Sequence, residues 1–227
     1  MKFFRTWVYW FLYPIVRFVM FFAHPVFRVT GRENIPKGPY VLTCNHSGMS
    51  DPFWIIFAIR PKQVFRFLAK IEFQRVPVIR SIMKAFGVIF VDRGHHDVGA
   101  IQSACAGLRD GDAIMLFPEG TRVKPGRTVP AKCGAIQIAQ TCNVPILPMY
   151  LTQDKKPFHP LKAVIGKPYK PFPDSAAESD GHATLSNGQM TTSSSQMTVS
   201  NGQTTLTRDQ MKTLAAELLT EIYRLGE

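Results

Sequence analysis

Asn45-His46-Ser47-Gly48-Met49-Ser50-Asp51-Pro52 sets an imidazole and a carboxylate five residues apart at the end of a short apolar run. Residues five apart on one helix diverge by about 140° around its axis, so these two side chains can meet only across a turn. Gly48 permits a tight turn, and Asp51 followed by Pro52 reads as a helix N-cap with proline at the first helical position. A carboxylate in that place can hold the imidazole in one tautomer and leave its other nitrogen as a general base. An aspartate that only caps its helix beside a structural histidine would have the same spacing, so both readings stay open. Ser47 invites comparison with a serine hydrolase, but no G-x-S-x-G elbow surrounds it.

Two further segments repeat one design, an apolar run that ends in charge. Gly87-Val88-Ile89-Phe90-Val91-Asp92-Arg93 brings a guanidinium to a strand end, where it can fork onto a phosphate. In Ala113-Ile114-Met115-Leu116-Phe117-Pro118-Glu119-Gly120-Thr121-Arg122, Glu119 could bond a substrate hydroxyl or orient Arg122, while Gly120 would let backbone come close to a ligand. Lys132 and Gly134 follow at the expected start of a helix, where free N–H groups favour an anion. Taken singly, each of these charges also fits an ordinary solvated surface or a pair with a neighbour.

The elements that must carry these residues alternate short apolar runs with longer amphipathic stretches, the pattern of an α/β domain. Strands are expected at 26–30, 40–44, 64–69, 87–91, 113–117, 146–152 and 162–165, and helices at 52–59, 76–86, 97–109 and 131–142. Four segments result. Residues 1–28 carry many aromatics and four basic residues but no acid, which suits a helical anchor lying in a membrane interface. Pro14 and Arg17 interrupt what a spanning helix would need. Residues 29–173 form the α/β core. Residues 174–206 are rich in Ser, Thr, Gly, Asn and Gln and read as a disordered insertion. Residues 207–227 form an amphipathic packing helix, with Met211, Leu214, Ala215, Leu218, Ile222 and Leu225 at helical spacing.

With 27 Lys and Arg against 16 Asp and Glu, the net charge of +11 points to anionic partners. Arg60, Lys62, Arg66, Lys70, Arg75, Arg80 and Lys84 concentrate that charge, either as a docking face for a phosphorylated donor, an acidic carrier protein or anionic lipid, or as a plain solvated face. Cys44, Cys105, Cys133 and Cys142 show no C-x-x-C spacing, which argues against zinc and against a disulfide framework and leaves buried thiols as the expectation.

Together these blocks carry a resemblance. Asn45-His46 with Asp51, then the block ending in Arg93, then Phe117-Pro118-Glu119-Gly120-Thr121-Arg122, then Val144-Pro145-Ile146-Leu147-Pro148 stand in the order of the four blocks of the glycerolipid acyltransferase family, in its bacterial 1-acylglycerol-3-phosphate branch. The resemblance covers about residues 29–170, and Ala69-Lys70-Ile71-Glu72 also looks familial. It implies a mixed, largely parallel sheet flanked by helices, and transfer of a fatty acyl group from an acyl thioester to lysophosphatidic acid. It implies His46 as general base, Asp51 as its support, and Arg93, Glu119, Gly120, Thr121, Arg122 and Lys132 as substrate-binding residues. No metal or cofactor is called for; acyl-coenzyme A or acyl carrier protein is the co-substrate, membrane lipid rather than nucleic acid the partner, and the cytoplasmic face of the cell membrane the location. Glycerol 3-phosphate or another lysophospholipid as acceptor, and a silent lipid-binding relative, remain alternatives. Val123 after the third block, and Cys133 with Ala131 around Lys132, depart from the family pattern and bear on acceptor preference.

Overall fold

Every residue of β2 (Val41–Cys44) is buried. Val41 nevertheless belongs to one apolar cluster and Leu42 and Cys44 to another, because successive side chains of a strand point to opposite faces. A run buried on both sides asks for a sheet covered on both sides, and the computed structural model has that architecture. It describes residues 14–15, 17–18, 20–59, 65–85, 87–92, 97–172, 198–200 and 203–227.

Around β2 stand β1 (Phe27–Thr30), β3 (Phe65–Lys70), β4 (Ile89–Val91), β5 (Ala113–Leu116), β6 (Ile146–Leu151) and β7 (Leu161–Ile165), in the order β1-β7-β6-β2-β5-β3-β4. All neighbours pair parallel except β6 and β7. The expected class, a mixed and largely parallel sheet flanked by helices, therefore holds. α1 (Asp51–Ile59) lays Trp54, Ile55, Phe57 and Ala58 on one face against Leu42, Met115, Leu147 and Met149. The other face is covered by α3 (Val98–Arg109), α4 (Gly134–Cys142) and α5 (Arg208–Arg224) through Ala104, Leu108, Ile136, Ala139, Leu218 and Ile222. α2 (Pro77–Ala85) lies between β3 and β4 in the chain.

Local chemistry starts the helices where the sequence suggests. Asp97 accepts from the Ala100 N–H at the head of α3, and Thr207 and Gln210 form a reciprocal capping box at the head of α5. Two expectations need correction. Cys105 and Cys142 are joined by a disulfide, with their Cα atoms 5.8 Å apart, while Cys44 and Cys133 are free. The bridge forms because α3 and α4 pack side by side, a juxtaposition that no short-range spacing announces. Within the stretch expected to be disordered, β8 (Thr198–Ser200) pairs antiparallel with β9 (Gln203–Thr205), as β-branched residues flanking an Asn-Gly pair favour. The remainder of 174–206 lies outside the described residues.

The expected anchor over 1–28 is described only from residue 14, where 14–15, 17–18 and 20–23 are helical. Phe18, Phe21 and Phe22 are exposed there and touch one another edge to face. Among the described residues no helix is long and apolar enough to cross a membrane. The end of this helix is tied to the β6–β7 connection: the Phe158 N–H donates to the Ala23 carbonyl at 2.7 Å, and His24 Nδ1 lies 3.0 Å from the His159 carbonyl oxygen.

Candidate active site

The loops after β2, β5 and β6 converge at the carboxyl ends of three adjacent strands. The crossover leaving β2 runs through α1 on one face, and that leaving β5 runs through α4 on the other. Diverging crossovers open a crevice at the strand ends, the place where open α/β sheets hold ligands. His46 and Asp51 stand on the first loop, residues 117–123 on the second and Lys155 on the third.

Asp51 is fully buried at the first turn of α1, and one of its oxygens organises the whole β2 loop. Oδ2 accepts from the Ser47 N–H at 2.7 Å and the Gly48 N–H at 2.8 Å, and lies 2.9 Å from His46 Nδ1. The turn that Gly48 permits thus folds back on the carboxylate, and the meeting of His46 with Asp51 expected from the sequence is present. Oδ1 faces Lys155 Nζ at 2.7 Å in an ion pair. Burial alone would raise the Asp51 pKa; the His46 hydrogen bond, the Lys155 charge and the Gly48 N–H outweigh it and hold the carboxyl below its usual range.

An ionised Asp51 fixes the His46 proton on Nδ1 and leaves the Nε2 lone pair unprotonated. Among the described residues no protein group bonds Nε2, and the imidazole keeps 18% of its surface open. Its plane is set by Phe117, stacked at 3.9 Å between ring centroids and 11° from parallel. A histidine held this way, open on one side and braced on the others, has the geometry a general base needs.

Glu119 does something other than the sequence suggested. It is 2% exposed, its Oε2 accepts the His46 backbone N–H at 2.6 Å, and its Oε1 accepts the Tyr223 hydroxyl from α5. It faces inward and fixes the main chain at His46, with both oxygens engaged by protein donors. Burial, offset in part by these donors, raises its pKa. Burial and the bond to Glu119 also raise Tyr223 far above the phenol range, which keeps it an O–H donor. The Val123 N–H closes the ring of contacts by donating to the His46 carbonyl at 2.7 Å.

Gly120 adopts φ 68°, and a Cβ there would come 3.2 Å from Lys132 Cγ, so what approaches this glycine is the lysine stem. Lys132 itself donates its backbone N–H to the Pro118 carbonyl at 2.7 Å, and α4 starts only at Gly134. Thr121, Arg122 and Lys132 are exposed, and among the described residues neither cation has a carboxylate partner. The third block and the segment that follows it therefore bring two uncommitted cations, Arg122 and Lys132, to the loop that contacts His46.

Arg93 lies outside the described residues. The strand that precedes it in the chain, β4, is the third from β2 in the sheet. From the basic cluster, Arg66 is withdrawn as a docking charge: its Nε donates to Asp112 at 2.7 Å and its Nη2 to Asp110 at 3.0 Å. Lys70 pairs with Glu72 at the surface, Arg75, Arg80 and Lys84 are exposed, and Arg60 and Lys62 are not among the described residues. The fourth block shapes the sheet, with Pro145 accepting the Val41 N–H and Ile146 and Leu147 fully buried.

Sequence reasoning missed Lys155 and Tyr223. Lys155 follows β6 in a loop without a motif and reaches Ser47 across 108 residues; Tyr223 reaches Glu119 across 104. Tyr223 offered one signal, a polar-tipped aromatic next to the buried stripe of α5. Lys155 offered none.

Fold and site define a two-face-covered α/β protein with an aspartate-supported histidine at the carboxyl edge of its parallel strands. The Acyltransferase family model matches residues 26–152, more than half of the chain, and the chain belongs to that family. Among its relatives, a 1-acyl-sn-glycerol-3-phosphate acyltransferase of Borreliella burgdorferi is 37% identical over 131 residues, 54% of this chain and 50% of that protein. One from Bacillus subtilis is 31% identical over 147 residues, 62% of this chain and 72% of that protein. The chain spans about half the length of the first two curated relatives it matches. In fold it resembles the crystal structure of the 1-acyl-sn-glycerophosphate acyltransferase from Thermotoga maritima, with a TM-score of 0.63 and 21% identity over 98% of this chain and 81% of that one.

Proposed function

We propose that this protein transfers a fatty acyl group from an acyl thioester to the free sn-2 hydroxyl of lysophosphatidic acid, forming phosphatidic acid. The observation that carries the reading is the 2.9 Å contact between His46 Nδ1 and Asp51 Oδ2, which leaves Nε2 as an unoccupied base. The names of the curated relatives support the acceptor.

In this mechanism Nε2 of His46 takes the hydroxyl proton as the acceptor oxygen bonds to the thioester carbonyl carbon. Asp51 stabilises the imidazolium that results. When the tetrahedral intermediate collapses, the carbon–sulfur bond breaks and the proton passes from Nε2 to the departing sulfur, so the base is restored without an acyl-enzyme. Ser47 is no competing nucleophile: its Oγ accepts from Lys155 and its N–H is held by Asp51. Arg122 and Lys132 supply cations for the acceptor phosphate, and the family resemblance adds Arg93. The exposed Phe18, Phe21 and Phe22, the basic residues of the same N-terminal segment and the net charge of +11 suit the surface of an anionic membrane, which we assign to its cytoplasmic face.

The test is transfer of a labelled acyl group to lysophosphatidic acid in vesicles by the wild type and His46→Ala. Loss of about 10²-fold to 10⁴-fold in kcat by a folded variant is the expected result. Full activity of the variant would sink the mechanism, and preference for glycerol 3-phosphate would reassign the acceptor.

A further inference from the structure

Asp51 carries more on its buried carboxylate than a histidine and two amides. Lys155 enters from the far side of the site with its ammonium 2.7 Å from Oδ1 and 2.6 Å from Ser47 Oγ, and its side chain is 10% exposed. Its neighbour Lys156 is 67% exposed and pairs with Asp154 at the surface, so the two adjacent lysines have separate fates. Lys155 comes from the one antiparallel return in the main sheet, the β6–β7 connection, which is braced on both sides. Thr152 and Lys162 exchange bonds at 2.8 and 3.1 Å across its neck, and Phe158 and His159 are held by Ala23 and His24.

We propose that Lys155 is the positioning residue of the His46–Asp51 pair, a buried cation that commits Oδ1 of Asp51 and so keeps Oδ2 for the imidazole. This inference rests on the acyl-transfer reading for its kinetic consequence, though not for its structural one. A buried carboxylate with one free oxygen can rotate about its Cβ–Cγ bond or take up a proton, and either event removes the support of His46. With Lys155 in place Oδ1 is neutralised, rotation would break the ion pair, and the Ser47 hydroxyl is engaged by the same ammonium. Because the cation faces Asp51 and not the exposed side of the imidazole, it acts on turnover rather than on substrate affinity. Around Asp51 the titratable groups are His46 on its own loop, the buried Cys44 thiol on β2, Lys155 from the β6–β7 connection and Glu119 from the β5 loop; the charge of Asp51 opposes ionisation of Glu119 and of the thiol, while the Lys155 charge lowers the Asp51 pKa.

The experiment compares Lys155→Met and Lys155→Arg with Lys156→Met in the full-length protein. It reads kcat and KM across pH and, in the absence of substrate, the ¹³C titration of the Asp51 carboxyl. Lys155→Met is expected to lose about 10²-fold in kcat with KM within about threefold of wild type, and to shift the acid limb of kcat to higher pH. The Asp51 carboxyl should titrate at higher pH in the same variant. Lys155→Arg recovers most of the turnover, and Lys156→Met leaves it unchanged. A rise in KM at constant kcat would make Lys155 a substrate contact and overturn the proposal, as would an unmoved Asp51 titration. If the wild type itself transfers no acyl group, the functional reading fails, while the Asp51 titration still decides whether Lys155 governs that carboxylate.

Discussion

Asp51 and Glu119 are two buried carboxylates around one histidine, and their environments push them in opposite directions. The donors around Asp51 outweigh its burial, so it favours the ionised form in the fold; Glu119 is dominated by burial, and the fold makes its ionisation harder. For Asp51 the folded pKa lies below the unfolded value of about 3.9, so its contribution to stability is complete above that pH and disappears as pH falls through the folded value. For Glu119 the folded pKa lies above an unfolded value of about 4.3, so its contribution is complete below that pH and is lost as pH rises through the folded value. Denaturant midpoints measured from pH 3 to 8 should accordingly show Asp51→Asn flattening the acid-side loss of stability. Glu119→Gln should remove a loss on the rising side. At this scale the sequence disclosed the pair His46 and Asp51 and the turn between them, because both residues lie within a few positions of Gly48. It did not disclose the two partners of Glu119, because a glutamate between Pro118 and Gly120 reads as a loop residue until the neighbouring strand brings the His46 N–H to it.

Elements were legible where burial is periodic and illegible where partners are distant. The alternation of 26–170 gave seven strands near their observed places, and the stripe from Met211 to Leu225 gave α5, since these follow from local patterning. Strand order, the antiparallel return of β7 and the packing of α3 on α4 depend on contacts between remote segments, and with them went the Cys105–Cys142 bridge. That bridge is checkable: thiol titration of the denatured, unreduced protein should count two free thiols, Cys44 and Cys133, rather than four. Closing a loop across a separation of 37 residues is worth about 4 kcal/mol in the chain-entropy account, so reduction should lower the denaturation midpoint measurably. A count of four would return the protein to the buried-thiol expectation.

On the scale of the whole molecule, three loops from three adjacent strands meet because the crossovers at β2 and β5 leave by opposite faces, and the aromatic segment lies beside the third of them. The tie of Phe158 to Ala23, and of His24 to His159, makes that segment a mechanical member of the site, whatever its exposed aromatics bind. A shortened chain, prepared to handle the protein away from vesicles, then answers two different questions about the proposed activity according to where it is cut. Removing residues 2–13 spares both ties, and turnover on a dispersed, short-chain acceptor in detergent is expected to survive. Removing residues 2–25 frees one end of the β6–β7 connection, slackens Lys155 on Asp51, and should depress turnover even on that dispersed acceptor. An inactive soluble fragment of the second kind would report a lost guy-rope, not a lost membrane.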